Sequence, residues 1–340
     1  MTDGITIAHD TPPAPGALRE VAPGVHWARM PLPFPPLHVN LWLIEDGDGF
    51  LAVDTGVRNE ETRRNWDALL AAMGRPRITR VLITHFHPDH AGLAGWLCER
   101  AAAPMLMPRT EFLQARFLWL DTGEDMMAQQ VEFYRRAGCP PDYLDFVAQR
   151  GPLYQRSVHA LPRSYARIAA GDTLRIGGRD WQVLTGQGHA PEMACLLCAS
   201  DGIFISADQV LPRISPYIGV HAPEPEADPL AEFLTTLKRF RVVPEEVLVL
   251  PSHGLPFRGL HARLAALEAH HADRLGQLRD GLRAPRTVHD ATGLLFSRGL
   301  DHRQLGFGIG ETLAHLNRLV GMGEAVREDD ADGVRRFARR

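Results

Sequence analysis

The chain has 340 residues, room for one large domain and a smaller one with a well-filled core. It is 45% hydrophobic and 23% charged with a net charge of −4, a globular composition that excludes global attraction to nucleic acid or an anionic membrane, although a local basic patch stays open. No run approaches the roughly 18–20 apolar residues of a membrane span, and the N-terminus lacks the basic start and apolar core of a signal peptide. Four cysteines are too few for a disulfide framework, so a reducing, cytoplasmic location is expected.

Residues 1–20 read as a Pro-rich leader. "HVNLWLIEDGDGFLAVDTG" predicts two strands about an Asp-Gly turn, ending at Asp54 in a loop closed by glycine. Residues 61–74, "ETRRNWDALLAAMG", predict a helix with a glycine stop. "RITRVLITHFHPDH" is a strand running into a histidine cluster, and "AGLAGWLCERAA" continues as a helix. The order so far points to a layered α/β fold.

From about 108 to 170 the pattern is a helical insert, rich in aromatic residues and methionine. "TGEDMMAQQVEFYRRAG" opens with a capping-box pattern, Thr122 with Asp125, and stops at Gly138; "PDYLDFVAQRG" is a second helix. Phe112, Phe117, Trp119, Met126, Met127, Phe133 and Tyr134 are candidates for an apolar lid, set against the plainer reading that they pack a small core of their own. Strands resume in a hairpin about Gly177–Gly178, a second hairpin turning at Ser200–Gly202, and "EEVLVLPSHG". Beyond Gly254 the pattern is helical, with a domain boundary placed near 256–262: residues 21–261 form the main domain and 262–340 a small C-terminal one.

The histidine cluster carries the chemistry. His85 and His87, two apart on an extended segment, project to one side, and Asp89 and His90 follow where Pro88 breaks the strand. Imidazole and carboxylate together suit zinc, iron or manganese, whereas calcium and magnesium prefer oxygen shells. Asp54, His189, Asp208 and His253 each follow an apolar strand and precede a loop, the sheet edge where α/β folds build their sites. Hydrogen-bonded core histidines would account for His189 alone; they do not account for the whole set. Cys195 and Cys198 lie three apart in an apolar strand and read as buried small hydrophobes, and His221, His270, His271 and His302 as solvent-facing or core histidines.

Asp54, His85-x-His87-x-Asp89-His90, His189, Asp208 and His253, in that order over about residues 20–256, resemble the five motifs of the metallo-β-lactamase superfamily. The resemblance implies an αββα sandwich of two central sheets with helices outside. It implies two divalent metal ions per chain, zinc first, with iron or manganese as alternatives. One is expected on His85, His87 and His189, the other on Asp89, His90 and His253, with Asp208 bridging and Asp54 orienting a ligand or the metal-bound water. Such a pair shares a water and lowers its pKa towards ~7, giving a hydroxide that attacks an electrophilic centre while Asp89, Asp208 or metal-bound water handles the leaving-group proton. Met193 stands where relatives often carry another histidine or a small polar residue, outside the seven ligand positions.

Residues 262–340 resemble the winged-helix tail of lactamase-beta-like proteins that include an endoribonuclease. Arg335, Arg336, Arg339 and Arg340 suit nucleic acid, but Glu324, Glu328, Asp329, Asp330 and Asp332 dilute them, so a packing or dimerisation module is the better expectation. The expected function is a binuclear hydrolase of a small ester-type substrate (thioester, lactone or related), in a glyoxalase II-like branch. The expected partner is that small molecule; a homodimer stays open, nucleic acid is disfavoured and no membrane is involved. The alternatives are a single-strand-specific endoribonuclease, a mononuclear iron persulfide dioxygenase, and a nucleic-acid binder with a vestigial metal domain.

Overall fold

The computed structural model describes residues 4–72 and 77–340. The glycine stop expected at Gly74 lies outside them. The chain divides into two compact units, the first of residues 1–120, 153–216 and 240–264, the second of residues 121–152, 217–239 and 265–340.

The first unit opens with β1 (Thr6–Ile7), β2 (Arg19–Ala22), β3 (Val25–Pro31), β4 (His38–Asp46) and β5 (Gly49–Val53). Then come α1 (Glu60–Ala72), β6 (Arg77–Leu82), the single turn α2 (Pro88–Ala91), α3 (Ala94–Ala101), β7 (Met105–Pro108) and α4 (Arg109–Leu120). The chain passes through α5 (Glu124–Arg136) and α6 (Pro141–Gln149) of the second unit. It returns with α7 (Leu153–Ser157), β8 (Ala166–Ile168), β9 (Thr173–Ile176), β10 (Arg179–Gly186), β11 (Met193–Cys198) and β12 (Ile203–Ala207). After α8 (Pro229–Arg239) in the second unit, β13 (Leu248–Pro251) and β14 (Phe257–Arg258) complete the first.

Among the described residues these strands make two sheets of seven, ordered β2-β3-β4-β5-β6-β7-β8 and β1-β14-β13-β12-β11-β10-β9. Strand periodicity shows how they pack. On β4, Val39, Leu41 and Leu43 join Trp66, Leu69 and Leu97 of α1 and α3 in one core. The alternate Trp42 and Ile44 join Trp181, Val183, Leu196, Ile205 and Leu250 in another. One face of the first sheet therefore packs on helices and the other on the second sheet, the mixed α/β sandwich expected from the pattern. Trp27 and Trp42 stack between the sheets with ring centroids 6.0 Å apart, and all six tryptophans of the chain belong to this unit. Truncating one of the fully buried indoles to alanine would cost roughly 3–5 kcal/mol.

Two parallel pairs bring polar strand ends together. β5 runs alongside β6 and β12 alongside β13, so their C-terminal ends open on the same edge of their respective sheets. Cys195 and Cys198 are both fully buried on β11 as free thiols, with Cys198 in the core between the sheets.

α9 (Leu260–Gly281) starts in the first unit and belongs from residue 265 on to the second, which continues with β15 (Arg286–Thr287), α10 (Val288–Leu295), α11 (His302–Gly321), β16 (Ala325–Asp329) and β17 (Arg335–Arg339). The second unit's three strands are ordered β15-β17-β16. Phe133, Tyr143, Leu278, Ile309, Leu316 and Phe337 are among its core residues. Thr287 with Asp290 and Asp301 with Gln304 form capping boxes that start α10 and α11. The capping box expected of Thr122 and Asp125 is absent: α5 takes Gly123 as its N-cap, without a side-chain cap. That leaves Thr122 one residue outside the helix. Glu124 and Asp125 still favour this end by lying in the first turn.

α11 begins at His302, ahead of "GETLAHLNRLVGMGEAVRED", the segment from Gly310 that reads as helical in the sequence, and runs through Gly306, Gly308 and Gly310. A side chain at Gly306 would crowd the Tyr143 and Tyr134 hydroxyls, at 2.9 and 3.1 Å. The glycines here are packing sites, not breakers.

The aromatic and methionine residues of the 108–170 stretch do not act together. Phe112 stacks on Tyr165 at 3.9 Å in the first unit, Phe133 and Tyr134 are buried in the core of the second, and Phe117 is exposed. Among the four unassigned histidines, His271 is fully buried and its Nδ1 lies 3.1 Å from His315 Nε2, while the half-exposed His302 pairs with Asp142. His315 Nδ1 donates to the Glu311 carbonyl at 2.8 Å, leaving its Nε2 to accept from His271.

Burial pushes His315 down to about 4, whereas an unfolded histidine titrates near 6.5. The unfolded chain then takes up a proton that the folded chain refuses, so the stability from this site is present above pH 6.5 and lost as pH falls towards 4. Between pH 7 and pH 5 the loss is about 2 kcal/mol. Chemical denaturation of the full chain followed by circular dichroism should show it, and His315→Asn should flatten that slope; an unchanged slope would refute the account.

Candidate metal centre

Five chain segments meet at the strand ends of the first unit. Asp54 follows β5, His85 to His90 follow β6, His189 follows β10, Asp208 follows β12 and His253 follows β13. All eight side chains singled out from the sequence come together there. His87 Nδ1 lies 3.1 Å from His85 Nε2 and 2.9 Å from His189 Nε2. His253 Nε2 lies 3.3 Å from Asp89 Oδ2, and His90 Nε2 lies 3.5 Å from the same oxygen. Asp208 Oδ2 stands between the two sets, 3.4 Å from both His189 Nε2 and His253 Nε2 and 3.7 Å from His90 Nε2.

Asp54 and Thr84 hold this arrangement from behind. Asp54 adopts a left-handed backbone, φ 63°, which a short polar side chain tolerates better than a bulky one. Its carboxylate accepts from Thr84 N at 2.8 Å, from Thr84 Oγ1 at 2.8 and 3.0 Å, and from His90 Nδ1 at 2.8 Å. His90 Nε2 is thereby turned towards Asp89 and Asp208. Thr55 fixes the same histidine by donating its N–H and hydroxyl to the His90 carbonyl, at 2.9 and 2.7 Å. His253 Nδ1 donates to the His38 carbonyl at 2.7 Å, and Gly254, with φ 86°, bends so that its N–H donates to His38 Nε2 at 3.0 Å.

Asn40 and Arg29 grip the same turn through the carbonyls of Pro251 and Gly254. Buried Arg263 donates to the carbonyls of Leu211 and Ile214 beyond Asp208. Glu111, fully buried, has its carboxyl pushed up to about 8 by that burial and accepts from the Phe86 and Glu192 amides. None of Thr84, His38, Asn40, Arg29, Arg263 and Glu111 was singled out from the sequence. Thr84 and Asn40 had one local signal, a polar residue closing or opening an apolar strand; the others had none.

Electrostatics sort the groups. Burial and the neighbouring imidazoles push His85 and His87 well below the ordinary histidine range, keeping them neutral. Burial acts the same way on His90 and His253 but is outweighed by carboxylates: Asp89, Asp54 and Asp208 lift His90 well above that range, and Asp208 with Asp89 lifts His253 to about 10. Against their own burial, Asp89 is held at about 2 by His90 and His253, and Asp208 well below the carboxylate range by His253 and His90.

The donors fit a metal. His85, His87 and His189 offer three nitrogens within 4.8 Å of one another, as do the ligand atoms of Asp89, His90 and His253 and those of His85, His90 and Asp208. His87 Nδ1 faces two other ring nitrogens, and a single ring proton cannot bond to both. Among the described residues, His90 Nε2 and Asp208 Oδ1 are buried with no hydrogen-bond partner, an expensive state for a polar atom unless a cation meets it. Zinc–ligand bonds of about 2.0–2.1 Å in a tetrahedron set donors roughly 3.3 Å apart, close to the spacing found.

Residues 34–253 match the metallo-beta-lactamase superfamily, and residues 275–340 match the C-terminal domain described as metallo-beta-lactamase-like. The chain belongs to the metallo-beta-lactamase superfamily. A beta-lactamase domain protein from Burkholderia ambifaria superposes with a TM-score of 0.90 at 42% identity, over 97% of this chain and 96% of that one. The "Probable metallo-hydrolase YqjP" of Bacillus subtilis (strain 168) is 25% identical over 86% of this chain and 90% of its own length. A hydroxyacylglutathione hydrolase of Pseudomonas paraeruginosa is 29% identical over 38% of this chain and 56% of its own length. The protein is a metal-dependent hydrolase. Among the described residues no helix is long and apolar enough to cross a membrane.

Asp54→Asn leaves one acceptor oxygen for the Thr84 and His90 donors that the carboxylate serves with two, and should lower metal affinity by about 10–100-fold. Metal content by mass spectrometry after dialysis against a weak chelator measures this; wild-type retention would show that Asp54 does not orient the centre.

Proposed function

We propose that the chain is a binuclear hydrolase of small ester-type substrates, thioesters or lactones foremost. The observation that carries the reading is Asp208 Oδ2, equidistant at 3.4 Å from one histidine of each donor set. One ion would be held by His85, His87 and His189, the other by Asp89, His90 and His253, with Asp208 shared. The imidazole-rich donor set favours zinc, with iron or manganese as substitutes. When bound, the pair supplies an acidified water and a Lewis-acid contact to the substrate oxygen.

The protein's own groups do the rest. Neutral His85 and His87 present lone pairs, and Asp54 keeps His90 in the tautomer whose Nε2 faces the centre. Asp89 is the most exposed of the three carboxylates, at 15% against 7% for Asp208 and 2% for Asp54. It is therefore the group best placed to accept, on a carboxylate oxygen, the proton that the attacking water gives up and to hand that proton on to the leaving group. An ester substrate is supported by the hydroxyacylglutathione hydrolase relative, whose name gives such a molecule as its own substrate.

We read the C-terminal segment as a winged-helix-like module that packs or dimerises. Support comes from its succession of helix, strand, two helices and a two-stranded hairpin, with strand order β15-β17-β16. Three of the four arginines named from the sequence are ion-paired within the unit: Arg335 with Asp329 and Glu226, Arg336 with Asp330, and Arg339 with Asp280. That pairing disfavours a phosphate-binding face. A reducing, cytoplasmic location is part of the same reading, in keeping with four cysteines that are all buried free thiols.

A panel of thioesters, lactones, phosphodiesters and single-stranded RNA, run on protein of measured metal content, tests the reading. Two ions per chain and turnover of a thioester or lactone are expected, with His87→Ala lowering kcat/KM by more than about 100-fold in a folded protein. One iron per chain with oxygen uptake on a persulfide, or cleavage confined to RNA, would replace it.

A further inference from the structure

One buried acidic side chain beside the centre lies outside the metal-donor groups. Glu111 is the third residue of α4 and is completely buried. Its Oε2 accepts from the Phe86 N–H at 3.0 Å and its Oε1 from the Glu192 N–H at 2.5 Å. Phe86 lies between His85 and His87, and its carbonyl accepts from the Tyr154 hydroxyl at 2.6 Å. Glu192 lies three residues beyond His189, and its own carboxylate accepts from the Thr110 N–H at 2.9 Å. Residues 110 and 111 are thus tied reciprocally to the loop that carries His189, while Glu111 also holds the loop that carries His85 and His87.

A fully buried carboxyl group is unfavourable beside a hydrophobe of the same size unless both oxygens are engaged. What the carboxylate adds here is two acceptors at a fixed separation. They join two segments remote in sequence, the Phe86 amide 25 residues before Glu111 and the Glu192 amide 81 residues after it. We propose that Glu111 is a positioning residue that sets the mutual approach of His85, His87 and His189, and through it the metal affinity and coordination geometry of that donor set. The inference rests on those three histidines holding a metal, as in the proposed function.

Glu111→Gln and Glu111→Ala in the full-length chain, loaded with cobalt(II), provide the test. Glutamine keeps one acceptor but turns its amide NH2 against the second main-chain N–H. Competition with a chromophoric chelator should show metal affinity lowered 10–100-fold in Glu111→Gln, with a shifted visible cobalt spectrum, while circular dichroism of the metal-free chain stays that of the wild type. Glu111→Ala should lose more. Wild-type affinity and spectrum in Glu111→Gln would overturn the proposal. So would loss of folding in both variants, which would assign Glu111 to the core instead. If the wild type takes up no cobalt, the metal reading falls and this one with it; equal binding by wild type and variant removes this one alone.

Discussion

The constraint on which the first unit depends is that its most polar residues sit where water is excluded. His85 and His90 are fully buried, and Asp54, Asp208 and His253 nearly so. Buried imidazoles and carboxylates persist only when each polar atom meets another or a cation. The arrangement meets this by alternation, with neutral histidines gathered on one side and acid–histidine contacts on the other. Two atoms, His90 Nε2 and Asp208 Oδ1, stay unmatched at the middle.

The sandwich is what makes that burial possible. Strands from two sheets end at one edge, and the turns beyond them are short and tied to each other by main-chain groups. Thr84, Asp54 and Thr55 bind the turns after β5 and β6, while Asn40 and Arg29 bind the turn after β13. The distances among the donors are therefore set by strand packing, several residues away from any ligand atom.

Much of this was legible in the sequence, for identifiable reasons. The crowding of His85, His87, Asp89 and His90 is local, so no tertiary knowledge was needed to see it. Asp54, His189, Asp208 and His253 were visible because apolar runs announce strands and the residues just past them announce an edge. Glu111 was not visible, since its partners are backbone amides that every residue except proline possesses. The start of α11 was hidden because Gly306, Gly308 and Gly310 weaken helix propensity, and the tyrosines that occupy the missing side-chain space of Gly306 and Gly310 lie far off in sequence. The insert misled for a related reason: helical periodicity says that Phe112 and Phe133 face something apolar, not that they face different cores.

The placement of every indole in the sandwich has a practical consequence. Excitation at the red edge of the absorption band reports only on the first unit, because the second carries tyrosines such as Tyr134, Tyr143 and Tyr217 but no tryptophan. Emission from one half and far-ultraviolet ellipticity from the whole can thus be read in the same sample, so melting of either half is distinguishable without labels or truncation.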